Sequence, residues 1–262
     1  MVATEKTTID HHGNAYGISV NKRLQSDDYL FFLHGLGCAK ESFDDAFTFK
    51  RLGSFSLVSF DFLGFGDSEK PDNFSYSLEA QADIAAQLIE SFAAKRLSIV
   101  AHSMGGAVGL LLTQRLKGVK PSNFINIEGN LVAADCGIVS RGLAKQSFDE
   151  FRSSGSAEFL QGLKASPRPD LQAWAQWYGR AGVQAIHESA KSLVEWSDSG
   201  KLLQIFNGLE QKTYMYGDED SKSFLLPKLT ETNIVCIEDA GHFSMVDKPA
   251  ELYGNIADAL LT

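Results

Sequence analysis

The run Ser98-Ile99-Val100-Ala101-His102-Ser103-Met104-Gly105-Gly106 constrains this chain more than any other stretch. An apolar, β-branched segment reads as a buried strand. It stops at Ser103, with small residues two positions before it (Ala101) and two after it (Gly105), and a helical pattern follows at once. A strand that turns sharply at a serine and re-enters a helix is a nucleophile elbow. The turn strains the serine backbone, so bulk on either flank is excluded. The helix start aims free N–H groups at whatever lies over the serine. The usual pattern is Gly-x-Ser-x-Gly; here Ala101 stands in place of the first glycine.

The same strand-then-helix rhythm runs along the chain. Thr7 to Asp10 and Tyr16 to Val20 read as short strands around a turn at Gly13-Asn14. Tyr29 to Leu33 and Ser56 to Phe60 are continuous apolar runs, as expected of strands buried on both faces. Ser77 opens a helix whose apolar positions recur at helical spacing to Phe92. A helix is predicted over Met104 to Leu116 and a strand over Phe124 to Ile127. The rhythm then lapses. From Leu131 to Leu209 no strand is predicted; the segment is helical in character, broken at Pro167-Arg168-Pro169, and holds all three tryptophans, Trp174, Trp177 and Trp196. Strands resume at Thr213 to Tyr216 and Ile234 to Ile237, and a helix closes the chain from Pro249 to Leu261. The expectation is an α/β core, 1–130 and 209–262, built on a mostly parallel sheet with helices on both faces, and a helical insertion over 131–208.

Ligands of such sheets bind beyond the carboxyl ends of the strands, and the chemically capable residues fall there. His34-Gly35-Leu36-Gly37 follows the third strand. Its glycines let the backbone turn an N–H inward, so that Leu36 and Met104 would form an oxyanion hole, with His34 and Gly35 beside the substrate. Asp61 to Ser68 reads as a structural turn under the site. His242, in Gly241-His242-Phe243 after the last strand, is placed to act as base for Ser103. Two carboxylates could orient it. Asp220 follows the penultimate strand, in a run of three acids; Glu128 follows Ile127 directly, where a carboxylate is costly unless paired. One of the two should lie within about 3 Å of the His242 Nδ1 atom; the choice stays open, leaning to Glu128. In the insertion, Trp174, Trp177 and Tyr178 are candidate walls of an apolar pocket.

A net charge of −9 argues against nucleic acid or an anionic membrane as partner and leaves a small-molecule substrate. Cys38, Cys136 and Cys236 are too scattered for a metal site and, being odd in number, suit a reducing compartment. No Gly-x-Gly-x-x-Gly marks a nucleotide site, so no metal and no cofactor is expected. The first ten residues are polar, which predicts no secretory leader. No run of about 18 apolar residues occurs, which predicts no membrane span; a cytoplasmic location is expected.

With His34-Gly35, Asp61 to Ser68, Ala101 to Gly106 and Gly241-His242-Phe243 in place, nearly the whole chain resembles the α/β-hydrolase superfamily, in its serine-nucleophile branch. The resemblance implies an eight-stranded, mostly parallel sheet carrying a helical cap at about 131–208. It places the acid after strand seven in most members, where Asp220 sits, and after strand six in some, which matches Glu128. It implies a Ser103–His242–acid triad cleaving a small to medium ester, thioester or lactone through an acyl-enzyme. The same triad could serve C–C bond hydrolysis or acyl transfer, and a small-molecule receptor with a slow triad is the alternative outside enzymes. Dehalogenases and epoxide hydrolases of the superfamily use an aspartate where Ser103 stands.

Overall fold

In the computed structural model, which describes residues 2–261, two antiparallel strands, β1 (Ala3–His11) and β2 (Asn14–Arg23), begin the chain. The turn between them holds His12 and Gly13 at φ 54° and 79°. Positive φ at both central residues is the turn whose twist matches the flanking strands. Six strands follow: β3 (Asp28–Leu33), β4 (Ser56–Phe60), β5 (Arg96–His102), β6 (Asn123–Ile127), β7 (Lys212–Gly217) and β8 (Asn233–Ile237). The eight strands form one sheet in the order β1-β2-β4-β3-β5-β6-β7-β8, with β3 to β8 parallel. This is the α/β-hydrolase fold.

The six expected core strands are present with small shifts at their ends. β1 and β2 run longer than the sequence pattern implied. Much of β1 is polar and exposed, and its extent comes from pairing with β2 over Ala3↔Lys22 to His11↔Asn14. The central strands are enclosed: Leu30, Phe31, Phe32 and Leu33 are fully buried, as are Ile99, Val100 and Ala101.

Helix α1 (Leu78–Ser91) is capped by Ser77, whose Oγ accepts the Ala80 N–H at 3.2 Å. Helix α2 (Met104–Thr113) is apolar all round, because it runs through the interior with Met104 to Leu112 buried. It ends three residues before the expected Leu116; the Gln114 and Arg115 N–H groups turn back onto the Leu111 and Leu112 carbonyls, and Gly118 takes φ 84°.

Between β6 and β7 the described residues hold no strand. This stretch carries α3 (Ile138–Lys145), α4 (Phe148–Glu150), a π-turn over Phe151–Gly155, α5 (Ser156–Ala165), α6 (Pro169–Tyr178), α7 (Val183–Ser199) and α8 (Lys201–Asn207). Pro169 opens α6, where a missing N–H costs nothing. The far end of the stretch returns to the core. Phe206 of α8 packs on Phe124 of β6 and Tyr214 of β7, at ring separations of 6.2 and 6.4 Å. Ser192 of α7 accepts the Leu78 N–H at the head of α1 at 3.0 Å. Two C-terminal helices, α9 (Ser244–Asp247) and α10 (Pro249–Leu261), finish the fold.

Chain direction across the sheet switches between β3 and β5: β4 lies on one side of β3 and β5 on the other. A crevice opens at such a switch point, at the carboxyl ends of the strands. The loops after β3 and β5 meet there, since Leu33 pairs in register with Ala101.

Candidate active site

Ser103 stands at the head of that crevice with φ 53° and ψ −122°, a strained backbone for a residue bearing a Cβ. Its neighbours make the strain possible. A Cβ on Gly105 would lie 2.4 Å from the Leu33 carbonyl oxygen and 2.7 Å from that of His34. Only glycine lets α2 start this close to the end of β3. Gly35 is limited in the same way, at 2.9 Å from His102 Nδ1 and 3.1 Å from Ser103 Cβ. Ala101, the departure from the usual motif, is fully buried in β5.

A cavity of about 490 Å³ opens over Ser103. The β-strand loops contribute Gly35, Leu36, Asp220, Lys222, His242 and Phe243 to its wall, and the helical stretch contributes Asp135, Val139, Arg168, Leu171 and Trp174. Met104 is the first residue of α2, so its N–H has no partner within the helix. The Gly35 carbonyl accepts from His34 Nδ1–H at 2.8 Å and from the Cys38 N–H at 3.1 Å. In a trans peptide the N–H opposes the C=O, so the Leu36 N–H points away from both donors. Trp174 Nε1–H fixes the next peptide by donating to the Leu36 carbonyl at 3.1 Å.

His242 presents a half-exposed ring. Its carbonyl accepts from His102 Nε2–H at 2.9 Å. Burial, with His242 adding to it, pushes the His102 pKa well below its ordinary value, so His102 stays neutral. The His242 Nδ1 atom is 3.8 Å from Glu128 Oε2 and 4.0 Å from Asp220 Oδ2. The two candidate acids therefore face the same nitrogen from consecutive strand ends, and neither stands at the hydrogen-bonding distance expected. Glu128, at φ 51°, accepts the Gly217 N–H on Oε1 at 2.9 Å, and its Oε2 forms an ion pair with Lys222 Nζ at 2.5 Å. Burial alone would raise the Glu128 pKa; His242 and Lys222 outweigh it and hold the carboxyl below its ordinary value.

The remaining sequence candidates divide. Gly35, Leu36 and Trp174 line the cavity. His34, Trp177 and Tyr178 lie outside its lining. His34 is fully buried, and its Nε2 accepts the Phe62 N–H at 3.1 Å, which ties the loop after β3 to the loop after β4. Trp177 packs toward Phe243 at 6.4 Å between rings. Tyr178 is buried against Phe159, with its hydroxyl 3.3 Å from Ser156 Oγ. The Asp61 to Ser68 turn is structural as read. Asp61 accepts from the Lys40 and Asp67 N–H groups and from Lys40 Nζ. Sequence reasoning missed Lys222, Arg168 and Phe243. Phe243 had a signal, since it adjoins His242; Lys222 had only its place two residues beyond Asp220.

Glu128, Asp220 and His242 place ligand atoms within 4.8 Å of one another, as do Glu41, Asp61 and Asp67. A lysine ammonium already sits in each group: Lys222 on Glu128, and Lys40 on all three acids of the second. Among the described residues, no helix is long and apolar enough to cross a membrane.

The sequence of residues 30–254 matches the model of the alpha/beta hydrolase family, and the chain belongs to that family. It is similar to Lipase 1 of Psychrobacter immobilis, 33% identical over 259 residues that cover 86% of this chain and 74% of that one. Three further curated relatives match over stretches covering 24–41% of their own length. Among solved structures, an esterase from Exiguobacterium antarcticum superposes with a TM-score of 0.81 at 16% identity, covering 98% of this chain and all of the other. An N-acyl homoserine lactonase, solved with N-hexanoyl homoserine, gives 0.76 at 17% identity over 99% and 96% of the two chains. At such identities these likenesses speak to the fold.

Proposed function

We propose that this protein is a serine hydrolase of carboxylic esters, with thioesters and lactones as related substrates, working through an acyl-enzyme on Ser103. The observation that carries this reading is the strained Ser103 turn at the head of α2, opening into the same cavity as His242. The similarity to a lipase, an esterase and a lactonase supports the ester class.

Ser103 Oγ attacks the carbonyl carbon while His242 takes its proton. The Leu36 and Met104 N–H groups hold the oxygen that becomes negative. As the tetrahedral adduct collapses, His242 returns the proton to the departing alcohol. Water then attacks the acyl-serine with His242 again as base, and the acid product leaves. Glu128 stabilises the imidazolium and fixes its tautomer; a small rotation of His242 closes the 3.8 Å gap. Asp220 is the second carboxylate on that nitrogen. Helices α3 to α6 act as the cap, and Trp174, hydrogen-bonded to the Leu36 carbonyl, joins it to the oxyanion loop.

The cavity limits the substrate. Its volume suits a ligand of modest size. Its two lining cations are already in ion pairs, Arg168 with Asp170 at 2.8 Å and Lys222 with Glu128, and Asp135, Asp170, Glu219 and Asp220 also line it, so an acyl group bearing its own carboxylate meets like charge. Turnover of aryl esters over a series of acyl lengths tests the reading. Neutral short and medium chains should be cleaved, and esters of dicarboxylic acids should be cleaved roughly ten-fold or more slowly. No turnover of any neutral ester would contradict it.

A further inference from the structure

We infer that Lys222 is a positioning residue for the reaction: it holds the Glu128 carboxylate in place behind His242, and so sets the pH at which the base becomes free to accept the Ser103 proton. The inference rests on the reading of Ser103, His242 and Glu128 given above.

Three observations support it. Lys222 follows β7 and lines the cavity, yet its side chain is only 10% exposed. Its Nζ lies 2.5 Å from Glu128 Oε2, the oxygen that faces His242 Nδ1. The Glu128 side chain is fully enclosed, and its other oxygen is fixed by the Gly217 N–H. A carboxylate oxygen has room for two donors, so Lys222 can anchor Oε2 and leave one direction open to the imidazole. Of the two lysines buried as whole residues, Lys40 is shared among three acids away from the reacting groups and Lys212 donates to the Leu209 carbonyl; the ion pair of Lys222 is with Glu128 alone among the described residues.

The consequence is electrostatic. An enclosed carboxylate without a counter-charge draws a proton onto itself or onto the histidine beside it. The Glu128–His242 pair would then keep its proton to higher pH and the base would be blocked. The Lys222 ammonium supplies the counter-charge and lets that proton go. The other groups facing His242 leave this role open. Asp220, at 4.0 Å, adds negative charge and pulls the proton back, and His102 is neutral. Arg168 and Glu219 approach Gly241 together, and Arg168 is bound to Asp170. Asp247 accepts the Gly241 N–H. Asp135 lines the cavity, with one oxygen accepting the Leu131 and Val132 N–H groups.

The test is the pH profile of kcat/KM for a neutral aryl ester on the full-length protein, over about pH 5 to 9. Lys222→Met should move the acid limb upward by about one pH unit, so that on that limb it falls roughly ten-fold further below the parent enzyme than it does on the plateau. Lys222→Arg keeps the charge and should keep the parent limb. The pH dependence of Ser103 labelling by a fluorophosphonate reports the same ionisation without substrate and should move in step. If Lys222→Met does not fold, Lys222→Gln removes the charge while keeping a donor to Oε2, and should shift the limb in the same direction. An unmoved limb in the uncharged variant, or an equal shift in Lys222→Arg, overturns the inference. Either result leaves the serine-hydrolase reading intact as long as Ser103 is still labelled; absence of labelling in the parent enzyme would overturn that reading instead.

Discussion

Two carboxylates compete for one role at His242, and their surroundings separate them. Glu128 is enclosed, anchored at both oxygens, and held ionised. Asp220 is 43% exposed, on a loop whose neighbours Asp218 and Glu219 are also acidic. An anchored carboxylate in a poorly solvated place orients an imidazole better than a mobile one in water. Glu128→Gln should therefore lower kcat on the order of 10²-fold, less than the roughly 10⁴-fold that follows when the orienting carboxylate of a serine-protease triad becomes an amide, because Asp220 can substitute. Asp220→Asn should cost less than about ten-fold. Steady-state kinetics of both variants checks this, and a larger loss in Asp220→Asn would reverse the assignment. At this scale Ser103 and His242 were legible, because each follows a strand in a short, specific motif. Lys222 was not. What brings it to Glu128 is the path of the loop after β7, and no local pattern encodes a contact between two strand ends.

The ends of β3 and β5 carry a second consequence, because each delivers a buried histidine. His34 holds the loops after β3 and β4 together, and His102 holds the His242 carbonyl. Burial lowers both pKa values, against a smaller opposing pull from Asp61 on His34. Each ring binds a proton less readily in the folded state than in the unfolded chain, where a histidine titrates near about pH 6.5. The unfolded chain then binds more protons, so stability falls as pH drops below that value towards the folded-state pKa values. Urea unfolding should show a lower stability at about pH 5.5 than at about pH 7.5; equal stabilities would contradict the account. The elements themselves were largely readable, since runs such as Leu30 to Leu33 fit only a strand buried on both faces. The helical stretch was readable as the source of a pocket wall, but not which of its residues form that wall. Trp177 and Tyr178 share α6 with Trp174, yet only Trp174 faces the cavity, and which side of a short helix meets a pocket depends on packing that aromatic content does not reveal. Arg180, just beyond α6, reaches Glu41 at 2.5 Å and Asp67 at 3.2 Å and ties this helix to the core beside Lys40.

For the molecule as a whole, the fold and the candidate site converge on one place. The sheet switches direction where the loops of β3 and β5 meet, the strained serine sits there, and the cavity over it has one wall from the core and one from the helical stretch. The family was readable because its motifs lie at strand ends, where spacing in sequence becomes position in space. The substrate was not, because the cavity wall is assembled from distant loops. The central claim is a covalent intermediate on Ser103, and mass spectrometry of the protein after reaction with a fluorophosphonate tests it most directly. The account predicts a single adduct, mapped to Ser103 and absent from Ser103→Ala, together with a loss of ester turnover on the order of 10³-fold or more in that variant. An adduct on another residue, equal labelling of Ser103→Ala, or undiminished turnover without the serine would contradict it.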